Sequence, residues 1–270
     1  MPLEYMLNVF KIGGQNCESS SGHPKKVEIL RIHYPADQKY PPHYDRQGRI
    51  SIVLRGRVQE TVSKKEEIGT SLSVVMKPES VLHSNEFGRQ GALLLTLMMS
   101  PEFQSQMEMD YFLKQWQWWH SAQTTRIVID FLRDIQLDKD LESGVIEFLA
   151  ALAIPKQRPS NYRPLWLTQL CDKIETECST PLLVADLAYE FGVHPVYLAR
   201  VFRKFYGCNI KTYIHQCRLR KLNLHLADSD LSIAQIALEG GYADQSHFTR
   251  KFKSQTGLTP AAFRRLIHTF

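Results

Sequence analysis

The sequence predicts a multidomain α+β protein, with a strand-rich N-terminal domain carrying trailing helices and an all-α C-terminal domain of two helix-turn-helix subdomains. Three observations carry this. Short β-patterned runs fill residues 27–99, helical spacing governs the chain from Ser100 onward, and one helical unit occurs twice after Leu165. With 270 residues, 43% hydrophobic and 23% charged, the composition is that of an ordinary globular protein and excludes a disordered one.

In chain order, VEILRIHY, RISIVLRG, RVQETV, SLSVVM and GALLLTLMM alternate or run apolar over strand lengths, with turns expected at YPPHYDRQG and KKEEIGT. MEMDYFLKQWQWWH, TTRIVIDFLRDIQ and LESGVIEFLAALAI then space their apolar residues at three and four, as helices do. The segment PKQRPSNYRP (155–164) has three prolines and little to bury, so it reads as a linker. The boundaries expected are therefore 1–154 (strands about 25–100, helices about 101–154), a linker at 155–164, and a helical domain at 165–270.

The longest apolar runs are too short to span a bilayer, which excludes a membrane partner, and the N-terminus lacks the basic and apolar regions of a secretory signal. Five cysteines without a CxxC pair favour reduced thiols, so a cytoplasmic protein is expected. The net charge of +5 is unevenly spread. Residues 165–270 carry 13 Lys/Arg against 9 Asp/Glu, and two blocks, 191–227 and 245–270, contain seven and five cations and no acid. Acid-free basic blocks suit a polyanion, although solvated helix faces would look the same.

The repeat pairs ADLAYEFGVHPVYLARVFRKFYGCNIKTY (185–213) with AQIALEGGYADQSHFTRKFKSQTGLTPAAF (234–263). Ala188, Glu190 and Gly192 match Ala237, Glu239 and Gly241 at an offset of 49; Arg200, Phe202 and Gly207 match Arg250, Phe252 and Gly257 at 50. Each copy is a short amphipathic helix, a Gly that supplies a left-handed turn, and a second helix, capped in the second copy by Asp244. This is the helix-turn-helix pattern, whose second helix enters the DNA major groove.

In those second helices Leu198/Phe202 and Phe248/Phe252 form the inward stripes. The opposite faces carry Val196, Ala199, Arg200 and Arg203 in one copy, and Ser246, Thr249, Arg250 and Lys253 in the other. A mid-face Arg can pair in bidentate fashion with guanine, small neighbours allow close approach, and Val196 with Ala199 suits a thymine methyl. Lys204, Lys251 and Lys253 are placed for phosphates. Between the copies, residues 209–228 read as one helix. Roughly 17 residues of it, about 25 Å, would hold two reading helices about one DNA turn, ~34 Å, apart.

The run RLRKLNLHLADSDLSIAQIALEGGYADQSHFTRKFKSQTGLTPAAFR closely resembles the signature of the AraC/XylS family of bacterial transcription regulators, through its IAxxxGY segment, DQSHFxRxFK helix and GLTPxxFR ending. The first copy is similar but less diagnostic. The resemblance covers about the last hundred residues. It implies a sequence-specific gene regulator that is not an enzyme, with base-facing positions at Val196, Ala199 and Arg200 and at Gln245, Ser246, Thr249 and Arg250. His194 and Pro195 depart from the small polar start usual in the first reading helix.

Many members of that family carry a cupin-like β-barrel before the DNA-binding half, and PPHYDRQGRISIVLRGRVQE with VVMKPESVLHSN resembles a degenerate pair of cupin motifs. His43 and His83 then fall where such barrels place metal ligands. The usual HxH reads His43-Tyr44-Asp45 and the Glu is missing, which leaves His43, His83 and at most Asp45 as ligands, so no metal and no cofactor are expected. The two histidines are read as hydrogen-bonded, or as lining an effector pocket near His43, Tyr44 and His83, while a domain serving only assembly is the other reading. Double-stranded DNA is the expected partner, with RNA polymerase, a small-molecule effector and a second copy as further candidates. The competing reading is a metal-dependent cupin enzyme with a DNA-binding appendage. A repair acceptor cysteine is disfavoured, because no Cys has ligand-like company. WQWWH (116–120) reads as core or subunit interface, and His33, His120, His215 and His225 as structural or surface groups.

Overall fold

The computed structural model describes residues 9–12, 26–106, 114–153 and 164–270. The chain clusters into two compact units: residues 1–153 with 255–257 and 261–270, and residues 154–254 with 258–260. Residues 155–163 of the linker expected at 155–164, and residues 107–113 of the helix expected at 107–120, lie outside the described residues.

The first unit contains an eight-stranded antiparallel sheet: β1 (Val9–Ile12), β2 (Val27–Tyr34), β3 (Lys39–His43), β4 (Arg49–Val62), β5 (Lys65–Gly69), β6 (Val74–Lys77), β7 (His83–Met99) and β8 (Gln117–Trp119). The strand order is β1-β2-β7-β4-β6-β8, with β3 on β7 and β5 on β4. Among the described residues no pairing joins the two ends, so the sheet is open where a barrel was expected.

Several elements differ from the pattern in the sequence. RISIVLRG and RVQETV are one 14-residue strand, β4, and β7 runs 17 residues by taking in HSNEFGRQ ahead of its apolar half. Each long strand pairs with different neighbours along its two halves, β7 with β3 then β2 and β4 with β6 then β5, so an apparent break is a bend. Gly56 makes the bend possible. Its φ is +79°, and a Cβ there would lie 2.1 Å from the Gly91 carbonyl oxygen across the bulge. KYPPH and KEEIG, expected as turns, are β3 and β5, each paired with one neighbour, where prolines and charges are tolerated.

WQWWH is not helical: Gln117–Trp119 pair with β6, and the Trp118 ring fills the space over Gly69, 2.2 Å from where a Cβ would stand. It is a core cluster, as its aromatic content suggested. The helices of this unit are α1 (Pro101–Gln106), α2 (Ala122–Gln136) and α3 (Leu141–Ala153). A reciprocal Ser121–Thr124 capping box starts α2, and Phe131 stacks on Phe148 at 4.5 Å to join α2 to α3.

The helices after Pro164 are α4 (Leu165–Glu177), α5 (Val184–Glu190), α6 (Pro195–Tyr206), α7 (Ile210–Asp228), α8 (Ile233–Glu239), α9 (Gln245–Thr256) and α10 (Pro260–Thr269). Among the described residues no helix is long and apolar enough to cross a membrane. Leu167, Leu170 and Ile174 of α4, Leu187 of α5, Leu198 and Phe202 of α6, and Ile210, Ile214 and Cys217 of α7 make one continuous core.

Candidate nucleic-acid interface

Both predicted helix-turn-helix units form. In the first, α5 ends at Phe191, Gly192 turns the chain at φ +62°, and α6 follows. His194 caps α6, its Nδ1 accepting from the Val196 amide at 3.3 Å, and Pro195 occupies the first helical position, where its missing N–H costs nothing. The two residues that depart from the family pattern are thus a working helix start. In the second unit α8 ends at Gly240, Gly241 turns at φ +71°, and the Asp244 carboxylate accepts from the His247 amide at 2.7 Å to cap α9.

The two reading helices bury the same stripe. Leu198 and Phe202 in α6, and Phe248 and Phe252 in α9, are fully buried. Every position expected to face DNA lies on the other side. Val196, Ala199, Arg200, Arg203 and Lys204 are exposed, as are Gln245, Ser246, Arg250 and Lys253, while Thr249 is half-buried. Val196 is 69% exposed. Arg200 lies over the Tyr197 ring at 5.7 Å, which limits the volume its guanidinium samples.

The spacer α7 runs 19 residues, about 28 Å at 1.5 Å each. It has no single apolar stripe, because its N-terminal half (Ile210, Ile214, Cys217) serves the first core while Leu222 lies against Gly240, at the turn of the second unit. The sequence count of cations overstated the free charge here. Arg218 donates to the Cys178 and Thr180 carbonyls, Lys221 to the Thr176 carbonyl at 2.9 Å, and Arg220 to Glu175 at 3.2 Å. Three of the seven cations of block 191–227 therefore tie α7 to the end of α4. Their positions in the sequence gave no sign of this, because their partners are 38 to 45 residues away.

Residues 187–266 match the family model described as a helix-turn-helix domain. The C-terminal region is an AraC-type helix-turn-helix domain. The chain is similar to the HTH-type transcriptional regulator GlxA of Rhizobium meliloti, 32% identical over 147 residues, 54% of this chain and 45% of that protein. It is also similar to the bifunctional transcriptional activator/DNA repair enzyme AdaA of Bacillus subtilis, 33% identical over 100 residues, 37% of this chain and 46% of that one. Among solved structures, an AraC-type transcriptional regulator from Chromobacterium violaceum is 28% identical, with 38% of this chain and 91% of that chain covered and a TM-score of 0.36. The chain spans from about a third to two thirds of the length of the curated relatives first matched.

Ahead of the AraC-type domain, the sheet gathers a second group of polar residues. His43 and His83, partners across the β3–β7 register, stack at 4.4 Å between ring centroids. Tyr44 does not join them; it is 58% exposed. The next residue, Asp45, takes its place, buried with one oxygen 3.5 Å from His83 Nε2. Arg49 Nη2 holds that carboxylate at 2.9 Å from Oδ1 and 2.8 Å from Oδ2. Further in, the fully buried Glu60 accepts from Lys77 Nζ (2.5 Å), Trp116 Nε1 (2.6 Å) and Asn85 Nδ2 (2.9 Å).

Burial pushes both imidazoles below their usual value, with Lys77 adding to the effect at His83. Burial works the other way on the two carboxylates, but Arg49 beside Asp45 and Lys77 beside Glu60 outweigh it, and both stay below their usual range. A cleft of about 370 Å3 lined by Tyr40, Pro42, Gln59, Thr61 and Asn85 shares Asn85 with this network. Arg49, Glu60, Lys77 and Trp116 were missed from sequence, which offered Asp45 only as a possible companion of the two histidines. The only signal was a charge inside an apolar strand run, as at Glu60 in RVQETV and Lys77 in VVMK.

Proposed function

We propose that the protein is a sequence-specific DNA-binding transcription regulator of the AraC/XylS type, whose AraC-type domain reads two adjacent major-groove segments. The carrying observation is the pair of capped helices, each with a buried aromatic or aliphatic stripe and an exposed face centred on one Arg, joined through the 19-residue α7. Arg200 and Arg250 take the guanine-reading role, Val196 and Ala199 the methyl contact, and Gln245, Ser246 and Thr249 the remaining base contacts. Arg203, Lys204 and Lys253 hold phosphates and set the register.

The N-terminal sheet domain is read as a cupin-like sensing or assembly module; its long bent strands and the cleft beside Asn85 support a pocket for a small-molecule effector. RNA polymerase and a second copy of the chain are the further partners this reading brings. Repair chemistry at a cysteine is opposed by the surroundings of the thiols. Cys171, Cys178 and Cys217 are buried, and burial pushes Cys217 up to about 11, far from the thiolate an acceptor needs.

The test is selection from random duplex DNA with the full chain. Enrichment of sites with two short elements about one helical turn, ~34 Å, apart is expected. A flat outcome, with no sequence enriched over input, overturns the proposal.

A further inference from the structure

The two helix-turn-helix units are joined in sequence by α7 and a short loop, residues 229–232, that leads into α8. A helix sets the distance between two units, but a loop at its end can absorb backbone rotation and let the second unit swivel. Packing of α7 on the second unit restrains that motion from one side. Leu222 does this, its Cδ1 standing 2.7 Å from where a Cβ at Gly240 would lie.

A second support comes from a different element. α4 belongs to the first core through Leu167, Leu170 and Ile174, yet the turn at its C-terminus, residues 178–180, reaches the second unit. A Cβ at Gly241 would stand 2.4 Å from the Ser179 carbonyl oxygen, so the turn that precedes α9 lies directly on that backbone. The Ser179 carbonyl falls in the chain between the two that Arg218 holds. Arg218 Nε donates to the Cys178 carbonyl, and its Nη2 to the Thr180 carbonyl at 2.7 Å. Lys221 donates to the Thr176 carbonyl one turn earlier, at 2.9 Å. Carbonyls at a helix C-terminus carry partial negative charge, which suits both cations. Only the guanidinium has the fixed fork that reaches two carbonyls at once. Arg218 also faces Tyr242, the residue after Gly241: burial raises the pKa of that hydroxyl, and the guanidinium opposes the rise.

We propose that Arg218 is a positioning residue for DNA recognition. By holding the 178–180 turn against α7, with Gly241 seated on that turn, it fixes α9 relative to α6 and thereby the spacing of the two DNA elements the protein accepts. This rests on the DNA-reading function proposed for the AraC-type domain, and adds the residue that enforces its spacing. One added base pair moves the second element by about 3.4 Å along the duplex and about 34° around it. A clamped pair of reading helices cannot follow that change, whereas a hinged pair can.

The test uses the full chain and duplexes carrying both selected elements at the selected spacing and at spacings one base pair shorter and longer. The wild type is expected to lose at least about tenfold in affinity at either altered spacing, as when one reading helix loses a base contact. Arg218→Ala is expected to bind all of these duplexes alike. Arg218→Lys keeps the charge and loses the fork; it should shift the same way, and it replaces the Ala variant if that chain does not fold. Lys253→Ala should weaken binding equally at every spacing, as loss of a phosphate contact does. Without DNA, residual dipolar couplings from the amides of α6 and α9 should fit one alignment tensor in the wild type and require two in the Arg218 variant. Equal wild-type binding at all spacings, an Arg218 variant that keeps the wild-type preference, or one tensor fitting both chains overturns the proposal. A selection that yields no DNA site overturns the DNA-reading function instead, and the dipolar couplings then still decide whether Arg218 fixes the two helices.

Discussion

Arg200 and Arg250 occupy the same place in two copies of one unit, yet their neighbours differ in chemistry. Arg250 stands among Gln245, Ser246 and Thr249, all able to hydrogen-bond, whereas Arg200 stands among Val196, Ala199 and Tyr197. Base discrimination should therefore depend more on the second copy. Arg250→Ala is expected to lose roughly 1–3 kcal/mol of preference at one or two base pairs, and Arg200→Ala less, as read by competition binding on a panel of single-base site variants. A second residue-scale effect concerns His215 on α7, which is half-buried and faced by Arg218, Lys251 and His247. Burial first, then the neighbouring Arg218 and Lys251, lower its pKa from 6.5. The unfolded chain thus binds the proton more readily, and stability present above about pH 6.5 falls as the pH drops below it. His215→Gln should flatten that part of the acid slope in thermal melts recorded from pH 5 to 7. Residue identity of this kind was legible in the sequence, since the Arg positions follow from the repeat. The packing around His215 was not, because its neighbours come from α9 and a different turn of α7.

At the scale of elements, the short helices hold through their ends and their contacts more than through intrinsic propensity, as seven-residue helices in isolation are marginal. The Asp244 cap is worth about 1 kcal/mol, so Asp244→Ala should lower the denaturant midpoint by that amount without changing the transition slope. Gly241 has a stricter requirement. Besides its φ of +71°, a Cβ would sit 2.4 Å from the Ser179 carbonyl oxygen, so Gly241→Ala should cost more than about 1 kcal/mol, measured in the same way. Phe252→Ala empties a fully buried site and should cost about 3–5 kcal/mol, enough to abolish DNA binding through loss of α9. Helix elements were well read from sequence because 3.6-residue periodicity, Gly turns and cap residues all act locally. Strand boundaries were read less well. β3, β5 and β8 contain prolines, charges or tryptophans whose place in a sheet depends on a partner strand, and β4 and β7 bend at bulges that look like turns in the sequence.

For the whole molecule, the distribution of charge decides how binding should respond to salt. Lys251 and Lys253 are exposed on α9, whereas Arg218 and Lys221 are engaged with carbonyls of α4 and its C-terminal turn. Replacing Lys253 by Ala should reduce the slope of log affinity against log salt by about 1. Arg218→Ala should leave the slope nearly unchanged and lower the thermal midpoint, as it strips partners from two carbonyls. Equal slopes for the two variants would show that charge count, and not placement, governs binding. The sequence by itself determined the repeated helix-turn-helix unit and the exposed faces of its second helices. Each of those rests on local periodicity or on a repeat, and both are properties of the chain read in order. Only the tertiary structure decided which cations are engaged with carbonyls and that no pairing closes the sheet among the described residues. It also decided that Asp45, and not Tyr44, stands with His43 and His83. Those depend on pairings between residues tens of positions apart, which no local pattern records.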